Sequence, residues 1–303
     1  MFSSGAFRIF PHLLLSLLLF GLVGCAPQKL GGPSRPGTAA PAPTPVPIAA
    51  PPAGAPSVWP SDAPDILATS AILIDARNGR VLYQKNADEQ RQVASTQKLL
   101  TGLLITQQGD LDGLITIAPT DTQVQPTKLG LRAGERYPRR MLLQAMMVRS
   151  SNDATAALAR DHSGSEAVFV GNMNLAAWQL GARSSQFANA HGLPANQFST
   201  ARDIARIAFR AYRDPELRRM MLVRNMTFRF NSGRTTNLKA TNDLLDKSPV
   251  FNGMKTGYTI AAGRCLVSSA DFGDRQLILV QLGSRTSHIF NDAERLLRWG
   301  ATK

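Results

Sequence analysis

A serine hydroxyl attacks a carbonyl only when a base stands ready to take its proton. The sequence places one three residues away, in Ser95-Thr-Gln-Lys98. On a helix, residues three apart share a face, so Lys98 can approach the Ser95 hydroxyl. Lysine serves as base only where burial and neighbouring cations push its pKa down toward neutrality. A helix beginning at or just before Ser95 also offers a backbone N–H to a developing oxyanion. Two further clusters carry complementary groups. Ser150-Ser151-Asn152 offers a hydroxyl and an amide on one loop, able to relay a proton and hold a substrate carbonyl; the same residues also read as a plain helix cap. Lys255-Thr256-Gly257, followed by Tyr258, sets a cation, a hydroxyl and a residue without Cβ in a row. Glycine there lets a substrate backbone come close. Each motif is common singly; the signal lies in their company and order.

The elements that must position these groups are legible in outline. Ala71–Asp75 and Val81–Tyr83 flank Arg77-Asn78-Gly79, a β-hairpin with Asn-Gly in the turn. From about residue 95 to 250 the pattern is mostly helical. Ser199-Thr-Ala-Arg-Asp203 opens a helix with a capping-type start, and Ile204, Ile207, Ala208 and Ala211 follow on one face. Strand patterns return at 251–257, 264–270 and 276–282, and Asn291–Trp299 reads as a closing amphipathic helix. Strands at both ends with helices between them predict an α+β fold, an antiparallel β-sheet flanked by helices with an inserted helical subdomain.

The 303 residues carry a net charge of +13. Basic residues are scattered with no run longer than two, which disfavours nucleic acid as a partner and fits a basic solvated surface. Residues 1–24 read as an export signal: Arg8, then the apolar run Leu13–Phe20, too short to span a bilayer. It ends in Leu22-Val-Gly-Cys25, which resembles the bacterial lipobox, whose cysteine thiol takes a diacylglyceryl group. Lipidation there holds the chain on a membrane. Ala26 resembles an outer-membrane sorting signal if the host has two membranes. Residues 25–60 form the expected tether, with eleven of the nineteen prolines. Such a segment is a stiff spacer reaching roughly 100 Å at about 3.1 Å per residue. The folded domain is expected over 61–303. Cys265, the other cysteine, sits in an apolar strand pattern as an inert buried thiol.

S-x-x-K on a helix start, then S-x-N, then K-T-G on a strand, in that order, is the signature of penicillin-recognising serine enzymes. With Arg149-Ser-Ser-Asn-Asp-Ala154, Asn189-Ala-His-Gly-Leu-Pro194 and Gly253-Met-Lys-Thr-Gly-Tyr258, the chain resembles the low-molecular-mass penicillin-binding proteins, the D-alanyl-D-alanine carboxypeptidase and endopeptidase family. Similarity runs from about Ser70 to Trp299. The resemblance implies a β-lactamase/transpeptidase-like fold and a cell-envelope hydrolase of peptidoglycan stem peptides, with β-lactam antibiotics as covalent inhibitors and no metal or organic cofactor. It implies Ser95 acylated with Lys98 as base, Ser150 relaying a proton, and Asn152 positioning the substrate amide. Lys255 and Thr256 would bind near a carboxylate, Gly257 would give the substrate room, and the N–H groups of Ser95 and Tyr258 would form the oxyanion hole. A structural role suits His191.

Two departures stand out. Many members carry a second β-rich domain and a C-terminal anchor, in whose place the lipid and tether are expected to serve. The carboxypeptidase branch commonly has an arginine near the start of the last helix, where this chain has Ile289-Phe290, with Arg285 nearby. That pair and the tether tilt the expectation toward an endopeptidase cutting D-alanyl cross-links, with Arg285 as the alternative carboxylate anchor. A serine β-lactamase shares all three motifs but needs a glutamate in an E-x-x-L-N loop, and Glu166-Ala-Val-Phe-Val170 lacks the Leu-Asn pair. A non-catalytic envelope scaffold has no physical need of all six intact polar residues.

Overall fold

Strands from the two ends of the chain meet in one sheet. The computed structural model describes residues 46, 48, 49, 58–285 and 288–303; the export signal, Cys25 and most of the tether lie outside the described residues. The N-terminal strands are β1 (Val58–Trp59), β2 (Ser70–Asp75) and β3 (Val81–Lys85). Between them and the C-terminal strands lie α1 (Lys98–Gln108), β4 (Leu114–Thr116), β5 (Arg136–Pro138), α2 (Arg139–Arg149), α3 (Asn152–Ser163) and α4 (Glu166–Gln179). Then come α5 (Ala201–Tyr212), α6 (Pro215–Met221), β6 (Asn225–Arg229), β7 (Thr235–Lys239) and α7 (Leu244–Lys247). The chain closes with β8 (Phe251–Thr259), β9 (Gly263–Asp271), β10 (Gln276–Ser284) and α8 (Ile289–Ala301). The main sheet has the order β1-β3-β2-β10-β9-β8, and every neighbouring pair is antiparallel.

Both faces of this sheet are covered, which explains why β2 and β10 read as almost unbroken apolar runs. Side chains alternate across a strand. Ile72 and Ile74 of β2, with Ile278, Val280 and Leu282 of β10, therefore join the core beneath the helical subdomain. Ala71 and Leu73, with Leu277 and Leu279, join a second core under α8. Helix α8 closes that face with Ile289, Ala293, Leu296 and Leu297, the i, i+4, i+7, i+8 stripe of an amphipathic helix. On the other face α5 starts from Thr200, whose hydroxyl accepts from Asp203 N, as the capping pattern predicts. Its Ile204, Ile207, Ala208 and Ala211 are all fully buried.

The hairpin differs in detail from expectation. β2 and β3 pair with a register shift between Leu73 and Ile74. Asn78-Gly79 lies within a five-residue loop closed by Asp75 N bonded to Arg80 O. The helical region also holds two small hairpins, β4–β5 and β6–β7. At the N-terminal side Val46 and Ile48, inside the proline-rich stretch, are buried at 8% and 2% exposure. Val46 N donates to Leu180 O, Arg206 Nη2 to Ile48 O, and Arg202 Nη1 to Ala49 O. This short piece of chain is thus fastened to the ends of α4 and α5.

Candidate active site

Ser95 stands on a 3-10 turn, Ala94–Gln97, that runs directly into α1. Ala94 takes a left-handed φ of 47°, a sparsely populated conformation for alanine that bends the chain sharply just before the serine. Lys98, one turn on, is 0% exposed. Its Nζ lies 3.0 Å from Ser95 Oγ and donates to Asn152 Oδ1 at 2.7 Å and His191 O at 2.6 Å. Burial and the nearby positive charge of Lys255 hold the Lys98 ammonium well below the usual lysine range. Three oxygens surround this Nζ, so an amine that has given up a proton can keep its bonds to the two carbonyls and turn its lone pair to the Ser95 hydroxyl. That is the arrangement of a base.

Asn152 opens α3, yet no side chain caps that helix. The cap alternative fails because Asn152 is spent elsewhere, its Oδ1 on Lys98 and its Nδ2 on Gln125 O. Ser150 ends α2 in a left-handed turn, φ 65°, which breaks the helix and leaves Ser150 on the cavity wall. Lys255, Thr256, Gly257 and Tyr258 lie along β8. A Cβ on Gly257 would sit 2.8 Å from Ser95 N, so glycine is what lets β8 lie against the Ser95 amide. Thr256 Oγ1 meets Thr241 Oγ1 at 2.5 Å. Lys255 behaves differently from a surface cation. It is 1% exposed, its Nζ donates to Thr256 O, and burial brings its pKa down to about 7.

These groups border a cavity of about 380 Å³ lined by Ser95, Ser150, Thr256, Gly257, Tyr258 and others. Lys98 and Lys255 lie behind its wall rather than on it. Ile289 and Phe290 line it too, while Arg285 is exposed and does not.

Several contributors lie outside the three catalytic motifs. The turn at His191, within the 189–194 segment, wraps Ser95: His191 O accepts from both Lys98 Nζ and Ser95 Oγ, Ala190 O from Thr101 Oγ1, and Asn189 O from Gln97 Nε2. The imidazole itself is buried, its pKa lowered to about 3 by that burial and by Lys98, so the ring is neutral. Its Nε2 lies 3.3 Å from Glu166 Oε1, which also accepts from Ala190 N. Glu166 thus braces the turn and does not line the cavity. Asp153, beside Asn152, is 1% exposed and accepts the backbone N–H groups of Leu129, Gly130 and Leu131. It pins the loop whose Thr127 faces the cavity. A backbone acceptor leaves no trace in residue type, but an acid directly after S-x-N was in plain view. Cys265 is the buried thiol expected, its pKa raised to about 11 by burial.

Against known proteins, a family model described as D-alanyl-D-alanine carboxypeptidase matches residues 58–286. The D-alanyl-D-alanine carboxypeptidase DacC of Escherichia coli K12 is 37% identical over 254 residues, covering 79% of this chain and 62% of that protein. The D-alanyl-D-alanine endopeptidase of Pseudomonas aeruginosa is 31% identical over 241 residues, covering 78% of this chain and 77% of its own length. The crystal structure of the D-alanyl-D-alanine carboxypeptidase of Mycobacterium tuberculosis H37Rv matches with a TM-score of 0.76 at 29% identity, over 80% of this chain and 93% of that one. The chain spans about three fifths of the length of the Escherichia coli carboxypeptidases it matches.

Proposed function

Because the chain belongs to the D-alanyl-D-alanine carboxypeptidase family, we propose that it is a serine hydrolase of D-alanyl-D-alanine bonds in peptidoglycan stem peptides, acting through an acyl-enzyme on Ser95. The observation that carries this reading is the Lys98 amine, buried, held by two carbonyl oxygens and 3.0 Å from Ser95 Oγ.

Ser95 Oγ attacks the carbonyl carbon of the penultimate D-alanine and its proton passes to Lys98 Nζ. The negative charge that gathers on the carbonyl oxygen is received by the N–H groups of Ser95 and Tyr258, brought together by the close approach of β8 at Gly257. Collapse of the tetrahedral species breaks the C–N bond, and the proton reaches the departing amine through the Ser150 hydroxyl. A water molecule then attacks the ester carbonyl, giving up its proton to Lys98, and Ser95 Oγ leaves with that proton. Asn152 orients Lys98 through Oδ1, and its Nδ2 keeps one proton beyond the bond to Gln125 O for the substrate's amide carbonyl. Lys255 acts from beneath the strand, through its field.

A fluorescent penicillin should form a long-lived adduct, and mass spectrometry should place it on the peptide bearing Ser95. An adduct on another residue would overturn the assignment, and rapid turnover of the drug would favour a β-lactamase. Cleavage of the terminal D-alanine and of the D-alanyl cross-link both fit this chemistry. The apolar Ile289-Phe290 wall keeps the endopeptidase reading open.

We further propose an exported, lipid-anchored chain, with residues 1–24 removed, Cys25 acylated, and 61–303 as the peptidase domain, to whose sheet β1 at Val58–Trp59 adds an edge strand. Lipobox spacing and the proline-rich run support this. Cys25→Ser should release the protein from the membrane fraction or leave it uncleaved. Correct cleavage with full membrane retention in that variant would rule the anchor out.

A further inference from the structure

An anionic end of a substrate needs a cation on the cavity wall, and the lysines do not supply one. Lys98 and Lys255 are buried behind the wall, each already engaged by protein oxygens. Arg285 does not line the cavity. Ile289 and Phe290, the first residues of α8, give that end an apolar surface.

Two guanidiniums do line it, Arg264 on β9 and Arg149 at the end of α2, against a single carboxylate, Asp243. Both arginines are exposed, and neither is paired with a carboxylate among the described residues. They are not equivalent. Arg264 is the direct cross-strand partner of Tyr258, and its guanidinium lies 5.5 Å from the centre of that ring. Stacking on an aromatic face orients a guanidinium while leaving its N–H edges unused. Tyr258 in turn follows Gly257, which touches the Ser95 amide. The pleat turns Tyr258 and Arg264 to the face of the sheet opposite Gly257, where Ile289 and Phe290 border the same cavity that Ser95 lines.

We infer that Arg264 is the specificity-determining residue that receives a carboxylate carried on the leaving amine. In D-alanine that carboxylate is one carbon from the departing nitrogen, so it stays within the cavity that Ser95 and Arg264 both line. The planar fork of arginine can hold both carboxylate oxygens at once, a pairing stronger than a neutral hydrogen bond. The apolar side of the same end, Ile289 and Phe290, then faces the methyl group. The inference rests on the peptidase reading above and names how its substrate is selected.

The test compares an acylated L-Lys-D-Ala-D-Ala peptide as the free acid and as its C-terminal amide. Each protein preparation gives one ratio of kcat/KM, acid over amide, so any loss of folded protein cancels. The wild-type ratio is expected at tenfold or more, expressed mainly in KM. In Arg264→Gln it should fall to near one, and Arg264→Lys should recover part of it. A ratio unchanged in Arg264→Gln, or lost only in Arg149→Gln, overturns the assignment. A wild-type ratio near one overturns it as well. Penicillin labelling of Ser95 on the same preparations separates this outcome from failure of the peptidase reading, which would show as no adduct at all.

Discussion

Lys98→Ala is acylated by a penicillin about 10³-fold more slowly than the wild-type chain, since a positioned general base contributes roughly 10² to 10⁴ in rate. The variant also empties the space among Ser95 Oγ, Asn152 Oδ1 and His191 O, so no other side chain inherits the proton. The pH profile carries the sharper signature. Only neutral Lys98 can accept a proton, so the rate rises with pH as the amine deprotonates, far below the ordinary lysine value of about 10.4. Burial and the charge of Lys255 both press Lys98 in that direction, whereas burial alone acts on Lys255. Lys255 loses its proton at about 7, and with it goes the cation that favours negative charge at the reacting carbonyl. The two titrations are coupled, and the pH profile belongs to the pair. Lys255→Gln removes the cation acting on Lys98 and moves the rising limb to higher pH. Acylation of Lys98→Ala near the wild-type rate, or a rising limb unmoved in Lys255→Gln, would show that another group is the base.

Gly257→Ala should lower the acylation rate by about 10² to 10³, the range seen when one oxyanion donor is lost. An added Cβ would stand 2.8 Å from Ser95 N, 3.0 Å from Ala94 Cβ and 3.1 Å from Thr96 N. Two of these are backbone atoms of the turn that carries Ser95, so the strand must retreat from the amide it lies against. Gly257 is absent from the residues of positive φ, so alanine adds crowding without dihedral strain. Folding should then change far less than catalysis. Gly192 offers the contrast: its φ is +84° and a Cβ would fall 2.2 Å from Ala94 O, so alanine there strains the turn and threatens the fold. Rates from rapid mixing, set beside thermal unfolding of Gly257→Ala, decide the matter. Wild-type acylation by a stably folded variant would mean that β8 does not set the oxyanion site.

Much of this was readable in the chain because the chemistry depends on side-chain type. Ser95, Lys98, Ser150, Asn152 and Lys255 through Tyr258 announce themselves by identity and order, and β8 to β10 by apolar runs bounded by turns. What escaped notice depends on backbone or on tertiary company. The oxygen shared by Lys98 and Ser95 belongs to the His191 peptide, and any residue would supply it. The place of Lys255 behind the wall follows from the pleat of β8 and its packing, which a three-letter motif does not encode. The hairpin β6–β7 alternates only weakly, with half-exposed strands, so it merged into the helical stretch. Val46 and Ile48 were hidden by composition, since prolines around them read as spacer whether or not the chain is docked.

That docking changes the geometry of confinement. A leash is measured from the stake to the first knot, and the first described knot is at Val46, held to Leu180, with Arg202 and Arg206 closing over Ala49 and Ile48. For a chain staked by lipid at Cys25, twenty residues, 26–45, are left to pay out. Even pulled straight they extend no more than about 70 Å, at roughly 3.3–3.6 Å each. The perimeter is thus set well short of what residues 25–60 suggest by count. Residues added before Val46 would widen the territory one by one, while residues added after Ala49 would leave it where it is.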